Sequence, residues 1–125
     1  MPAVTEKDQN NGVAITNQII INVGLNSQKL PVQIKWQADG HPIPGEKDAK
    51  AMLMALWDEQ QKTSLRIDLW TKEMQVREMQ HFIFQTVYTM ADTLQKATND
   101  PETAAEMREF ANNMAKKWDL FVKRT

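Results

Sequence analysis

The two histidines are the side chains best suited to acid–base or metal chemistry, and their neighbours decide what they can do. Glu78 and His81 form a Glu-x-x-His pair, half of the ligand set of a carboxylate-bridged di-metal bundle. The other half needs a second such pair. The next helical segment offers Glu102, Glu106 and Glu109 but no histidine. His81 also falls roughly opposite the apolar stripe of its segment, which reads as a solvent-facing histidine beside a carboxylate. His41 stands in Asp39-Gly40-His41-Pro42 with no second ligand at a fixed spacing, so nothing supports a metal or general-base role. Ser27 and Ser64 lie in no nucleophile elbow, and cysteine is absent. The four glycines form no phosphate-cradling loop. Asp58 and Glu59 are adjacent and would point apart at the end of a helix. No catalytic residue, cofactor or metal is expected.

Contact chemistry is better represented. Arg66, Asp68 and Trp70 share the outward side of an alternating segment, and Trp36 closes another. Phe84 and Tyr88, at i and i+4, lie on the outer shoulder of a long helical segment whose apolar arc spans about 200°. Packing on both the sheet and the last helix takes up most of that arc and leaves Phe84 and Tyr88 over; with Trp36, Arg66, Asp68 and Trp70 they are the candidate contacts with another protein. Eight methionines and four tryptophans enrich the chain. Met52, Met79, Met90, Met107 and Met114 read as core at helical spacing, and Trp57 and Trp118 are expected to be buried. A groove lined by Met and Trp that takes a small molecule or apolar peptide is the alternative.

The elements that must position these residues fit one domain of 125 residues. Hydrophobic residues make up 42% and charged residues 25%, with a net charge of −1, which argues against wholesale disorder and against a nucleic-acid-binding surface. The opening residues have neither the basic start nor the apolar run of a secretory signal, and no stretch is long enough for a membrane span, so a cytoplasmic location is expected. Residues 1–16 read as a flexible polar tail and 17–125 as a single domain.

Alternation of Ile19, Ile21, Val23 and Leu25, then of Leu30, Val32, Ile34 and Trp36, predicts a hairpin over Asn17–Ala38, with Pro31 near the start of its second strand. A Pro- and Gly-rich connector follows. Ala49, Met52, Leu53, Leu56 and Trp57 recur at three and four, predicting a short helix over Glu46–Glu59. Thr63–Trp70 returns to strand alternation. Two long helices complete the order, from about Gln75 to Ala97 and from the Asp100-Pro101-Glu102 start signal onward, with Lys116, Lys117, Lys123 and Arg124 near the end. The expected fold is α+β, order ββαβαα. It has a small antiparallel three-stranded sheet with helices on one face and ends in a long antiparallel helix hairpin.

Several strings carry a further signal. Ala55-Leu56-Trp57-Asp58-Glu59, Leu65-Arg66-Ile67-Asp68-Leu69-Trp70-Thr71-Lys72-Glu73-Met74, Thr89-Met90-Ala91-Asp92-Thr93 and Glu106-Met107-Arg108-Glu109-Phe110-Ala111 resemble the gliding-motility-associated GldC family of Bacteroidota. Ile34-Lys35-Trp36-Gln37-Ala38 fits as well, and the likeness runs from about Ile19 to Trp118. The resemblance brings no catalytic or ligand residues with it. It implies a non-enzymatic accessory protein of gliding motility and type IX secretion. Its expected partners are components of that machinery and further copies of itself, in a homo-oligomer.

Overall fold

The computed structural model describes residues 11–121. Most of the expected tail lies outside them, as do Val122, Lys123 and Arg124. Two compact units follow one another, Met1–Thr71 and Lys72–Thr125.

The first unit opens with the hairpin that the alternation predicts, β1 (Ile19–Leu25) and β2 (Pro31–Ala38). Its turn is held by Asn26, whose Oδ1 accepts from the N–H groups of Gln28 at 2.9 Å and Leu30 at 3.0 Å, while Lys29 takes φ 63°. An Asn side chain satisfies the backbone of such a turn in the way a further backbone group would. Pro31 opens β2 beside a shift in register at Gly24/Leu25, where its missing N–H disturbs the ladder least.

No helix forms over 46–59. The segment is β3 (Lys47–Ala49) and β4 (Ala51–Asp58), interrupted at Lys50. The reason is legible in the side chains. Ala51 to Trp57 are apolar on every side, so the run satisfies a period of two as well as one of 3.6. The partner decides. β5 (Thr63–Trp70), with the predicted bounds, pairs antiparallel with β4, setting Met52 against Leu69, Met54 against Ile67 and Leu56 against Leu65. Pairing along the whole strand outweighs the helix propensity of Ala, Met and Leu. Asp58 and Glu59 therefore belong to a hairpin turn. Asp58 Oδ2 accepts the Gln61 N–H at 2.6 Å, and Lys62 takes φ 55°.

The strands thus form two antiparallel sheets, β1-β2-β3 and β4-β5, where one sheet of three was expected. Every pairing joins elements that are consecutive in the chain. Ile34, in the central strand β2, is the largest fully buried side chain among the described residues. The Thr71 N–H donates to the Lys50 carbonyl at 2.8 Å, which fixes the phase of the β4–β5 ladder. Bonded pairs alternate along an antiparallel ladder, so Leu65, Ile67 and Leu69 bond to β4. The N–H and C=O groups of Ser64, Arg66, Asp68 and Trp70 point to the opposite edge.

The second unit is the expected helix hairpin, α1 (Val76–Thr98) and α2 (Pro101–Lys117). Asn99 reverses the chain in the left-handed region, φ 55° and ψ 44°. Asp100 caps α2 by accepting the Thr103 N–H at 3.0 Å. That hydrogen bond holds its carboxyl below the usual aspartate value. Arg108 Nη2 bridges to Asp92 Oδ1 at 2.7 Å, and Arg77 Nη2 donates to the Asp119 carbonyl at 3.0 Å, so the helices run antiparallel. Ala91, Ala104, Ala111 and Ala115 are each 0% exposed and form the seam. The last helix stops sooner than its basic residues implied. Leu120 N–H reaches the Ala115 carbonyl and Asp119 N–H reaches that of Lys116, with Asp119 at φ 60°. This double closure is a Schellman stop, sealed by buried Leu120.

Candidate functional site

The β4–β5 ribbon carries three of the candidate contacts. Arg66, Asp68 and Trp70 stand on one face with Ala51, Leu53, Ala55 and Trp57, their direct partners across the ladder or next along it. Arg66 Nη2 lies 2.8 Å from Asp68 Oδ1, an ion pair along the strand and open to solvent. The other face is aliphatic: Met52, Met54 and Leu56 against Leu69, Ile67 and Leu65. Both faces are open along the ribbon, with Leu56 57%, Leu65 50%, Ile67 47%, Trp57 67% and Trp70 57% exposed. The expectation that Trp57 is buried came from placing it on a helix, and it fails with that helix.

Trp36 is placed differently from an open contact residue. It is half-buried in the middle strand, opposite Ile21 on β1 and Lys47 on β3. Lys47 Nζ sits 4.7 Å from its ring centroid and His41 meets it edge-on at 5.2 Å. The cation–π contact and the T-shaped pair fasten the Pro-rich connector to the sheet. His41 Nδ1 accepts the Ile43 N–H at 3.0 Å, so this ring nitrogen serves the connector. On the opposite face Lys35 Nζ meets Asp48 Oδ1 at 2.9 Å. The Asp48 carboxylate, through that bond and its charge, holds the lysine above the ordinary value.

In the helical unit Phe84 and Tyr88 do share a shoulder, with ring centroids 5.9 Å apart. Sequence reasoning missed the third member. Phe121 meets Phe84 edge-on at 5.7 Å because the Schellman stop turns the chain back beside α1. Phe84 is half-buried in consequence, while Tyr88 and Phe121 remain exposed. The left-handed Asp119 was the local signal, and aspartate is among the few non-glycine residues that tolerate that conformation. Met90, expected in the core, is also exposed.

Other chemistry is thinly supplied. An open hollow of about 650 Å³ is lined by Asp92, Gln95, Lys96 and Asn99, polar residues without a methionine or tryptophan among them. Among the described residues no three His, Cys, Asp or Glu side chains gather where one ion could sit. The Glu78 carboxylate accepts the Gln75 N–H at 3.1 Å, which commits it to the start of α1. Among the described residues no helix is long and apolar enough to cross a membrane.

The fold and these surfaces define an α+β chain made of antiparallel β hairpins and a helix hairpin, with aromatic and aliphatic side chains left open on both units. Residues 31–120 match the model of the gliding motility-associated protein GldC-like family, and the chain belongs to that family. The match starts at the first residue of β2 and ends at the residue that seals the Schellman stop. No curated protein and no solved structure matches the chain. Membership associates the protein with gliding motility.

Proposed function

We propose that this chain is a non-enzymatic accessory protein of gliding motility and type IX secretion, acting in the cytoplasm by contact with components of that machinery. Open apolar surface carries the reading. Tyr88 and Phe121 flank Phe84 on the helical unit, and Trp57, Trp70, Leu56 and Leu65 stand open on the β unit. Apolar side chains in contiguous exposed patches mark surfaces that other proteins cover, and aromatic anchors supply most of the energy there.

The test is affinity capture of the full chain from gliding cells, with wild type beside a Phe84→Ser/Tyr88→Ser variant. The expected result is co-purification of gliding or secretion components with wild type and at least tenfold less of them with the variant, at unchanged helical content. Equal recovery by both proteins removes the helical shoulder as the contact. Capture of no such component sinks the reading as a whole.

A further inference from the structure

The outer edge of β5 is an unusual strand edge. β5 pairs only with β4 among the described residues, and seven of its eight residues are exposed. An open edge with ready N–H and C=O groups is a template for another strand. The sequence of this edge says which strand fits it.

The groups free to pair belong to Ser64, Arg66, Asp68 and Trp70, from the ladder phase that the Thr71–Lys50 bond sets. If a second β5 approaches about a two-fold axis normal to the sheet, the strands run antiparallel and outward-pointing residues must bond to outward-pointing residues. Even-numbered residues then face even-numbered ones in bonded pairs, and odd-numbered residues face odd-numbered ones in the non-bonded pairs between them. An axis at Arg66 sets arginine against arginine, and an axis at Asp68 sets aspartate against aspartate. Like charges directly opposite destabilise a sheet. An axis at Ile67 sets each Arg66 against the other copy's Asp68, each Leu65 against Leu69, and Ile67 against itself. The run Leu65-Arg66-Ile67-Asp68-Leu69 is thus its own complement when read backwards, in charge and in shape.

We propose that two copies of this chain join through the outer edges of β5, antiparallel and centred on Ile67. The two ribbons become one sheet of four strands, β4-β5-β5-β4. The Arg66–Asp68 ion pair, 2.8 Å along the strand in one copy, becomes part of a ring of four alternating charges. Leu65, Ile67 and Leu69 of both copies form one aliphatic stripe on the opposite face, continuous with Met54 and Leu56. The proposal deepens the contact reading by naming a second copy as one partner. Its failure is separable, because capture of gliding components is read on other residues and by another measurement.

The test uses charge exchange and a single thiol in the full chain. Wild type is expected to sediment as a dimer at micromolar concentration. Arg66→Asp and Asp68→Arg are each expected to weaken that dimer at least tenfold, since like charges then face each other. Mixed together, the two variants are expected to form a heterodimer, because every facing pair is again opposite in sign. An ion pair within one strand cannot produce that rescue. The doubly exchanged Arg66→Asp/Asp68→Arg chain keeps its composition and is expected to pair as wild type does, which controls for folding. The natural chain has no cysteine. Ile67→Cys should therefore oxidise to a covalent dimer, since non-bonded antiparallel partners place their Cα atoms about 4.5 Å apart. Leu65→Cys should not, because its facing residue is Leu69. A monomeric wild type, a mixture no tighter than either variant alone, or equal cross-linking of both thiol variants each overturns the proposal.

Discussion

The helix hairpin and the β4–β5 ribbon are both antiparallel pairs of consecutive elements, yet they treat their apolar side chains in opposite ways. The helices meet along Ala91, Ala104, Ala111 and Ala115, all fully buried, with larger residues flanking the seam. In the ribbon no residue is fully buried. Two helices can hide a stripe between them, because side chains on facing surfaces point at one another. Two strands cannot, because their side chains stand perpendicular to the ladder and wait for another layer. The hairpin therefore has its seam within one chain, whereas the ribbon leaves side chains open on both of its faces.

The hardest blow to that contrast is a larger side chain in the seam. Ala111→Leu is expected to destabilise the helical unit by about 2 kcal/mol, read by denaturant unfolding followed at 222 nm, because a close-packed seam has no room for the added carbons. A neutral result would mean that the helices are not held closely there.

A milder change tests the start of α2. Asp100→Ala is expected to lower the melting temperature by a few degrees at neutral pH, through loss of the cap on Thr103 N–H. The Asp100 carboxyl lies below its ordinary 3.8 in the folded chain, so its stabilisation is present above that value and disappears as the pH falls through the lowered one. Melting curves of the two proteins should therefore converge as the pH falls through that lowered value. A gap that persists in acid would assign the effect to helix propensity alone.

The smallest effect belongs to the ribbon. Leu56→Ala, at a position 57% exposed, should change unfolding stability by about 0.5 kcal/mol in dilute solution. A loss as large as that of Ala111→Leu would show that the face is already covered within one chain.

The same contrast explains what could be read in advance. Both helices were legible because their stop and start signals are local: Asp100, Pro101 and the polar Thr98-Asn99 link. β1, β2 and β5 were legible because polar residues alternate with apolar ones in them. β4 was not, since Met52, Leu53, Met54, Ala55, Leu56 and Trp57 leave no polar side to set the period, and the arbiter, β5, lies beyond the turn. That one misreading carried Trp57 and Met52 into a helical core and turned Asp58 into a helix end. At the candidate surfaces, Arg66, Asp68 and Trp70 were placed on one face by alternation alone. Phe121 escaped because its position depends on the left-handed Asp119, a backbone event that no periodicity announces. Trp36 was identified as a strand residue, but its Lys47 neighbour sits on a strand that the sequence had assigned to a helix.

Since each strand and helix pairs with its neighbour in the chain, little loop-closure entropy separates the unfolded chain from its first native contacts. Chains of this kind fold quickly, with hairpins closing in microseconds and low contact order keeping the barrier small. On the ribosome, β1 can close on β2 while the helices are still unmade, and β5 can find β4 before α1 has been translated. The newborn chain therefore shows an uncovered strand edge early, at a moment when neighbouring polysomal copies are close by. Arg66 and Asp68 then act as gatekeepers, because a foreign apolar strand laid along them would strip water from both charges and leave each with only the other as partner.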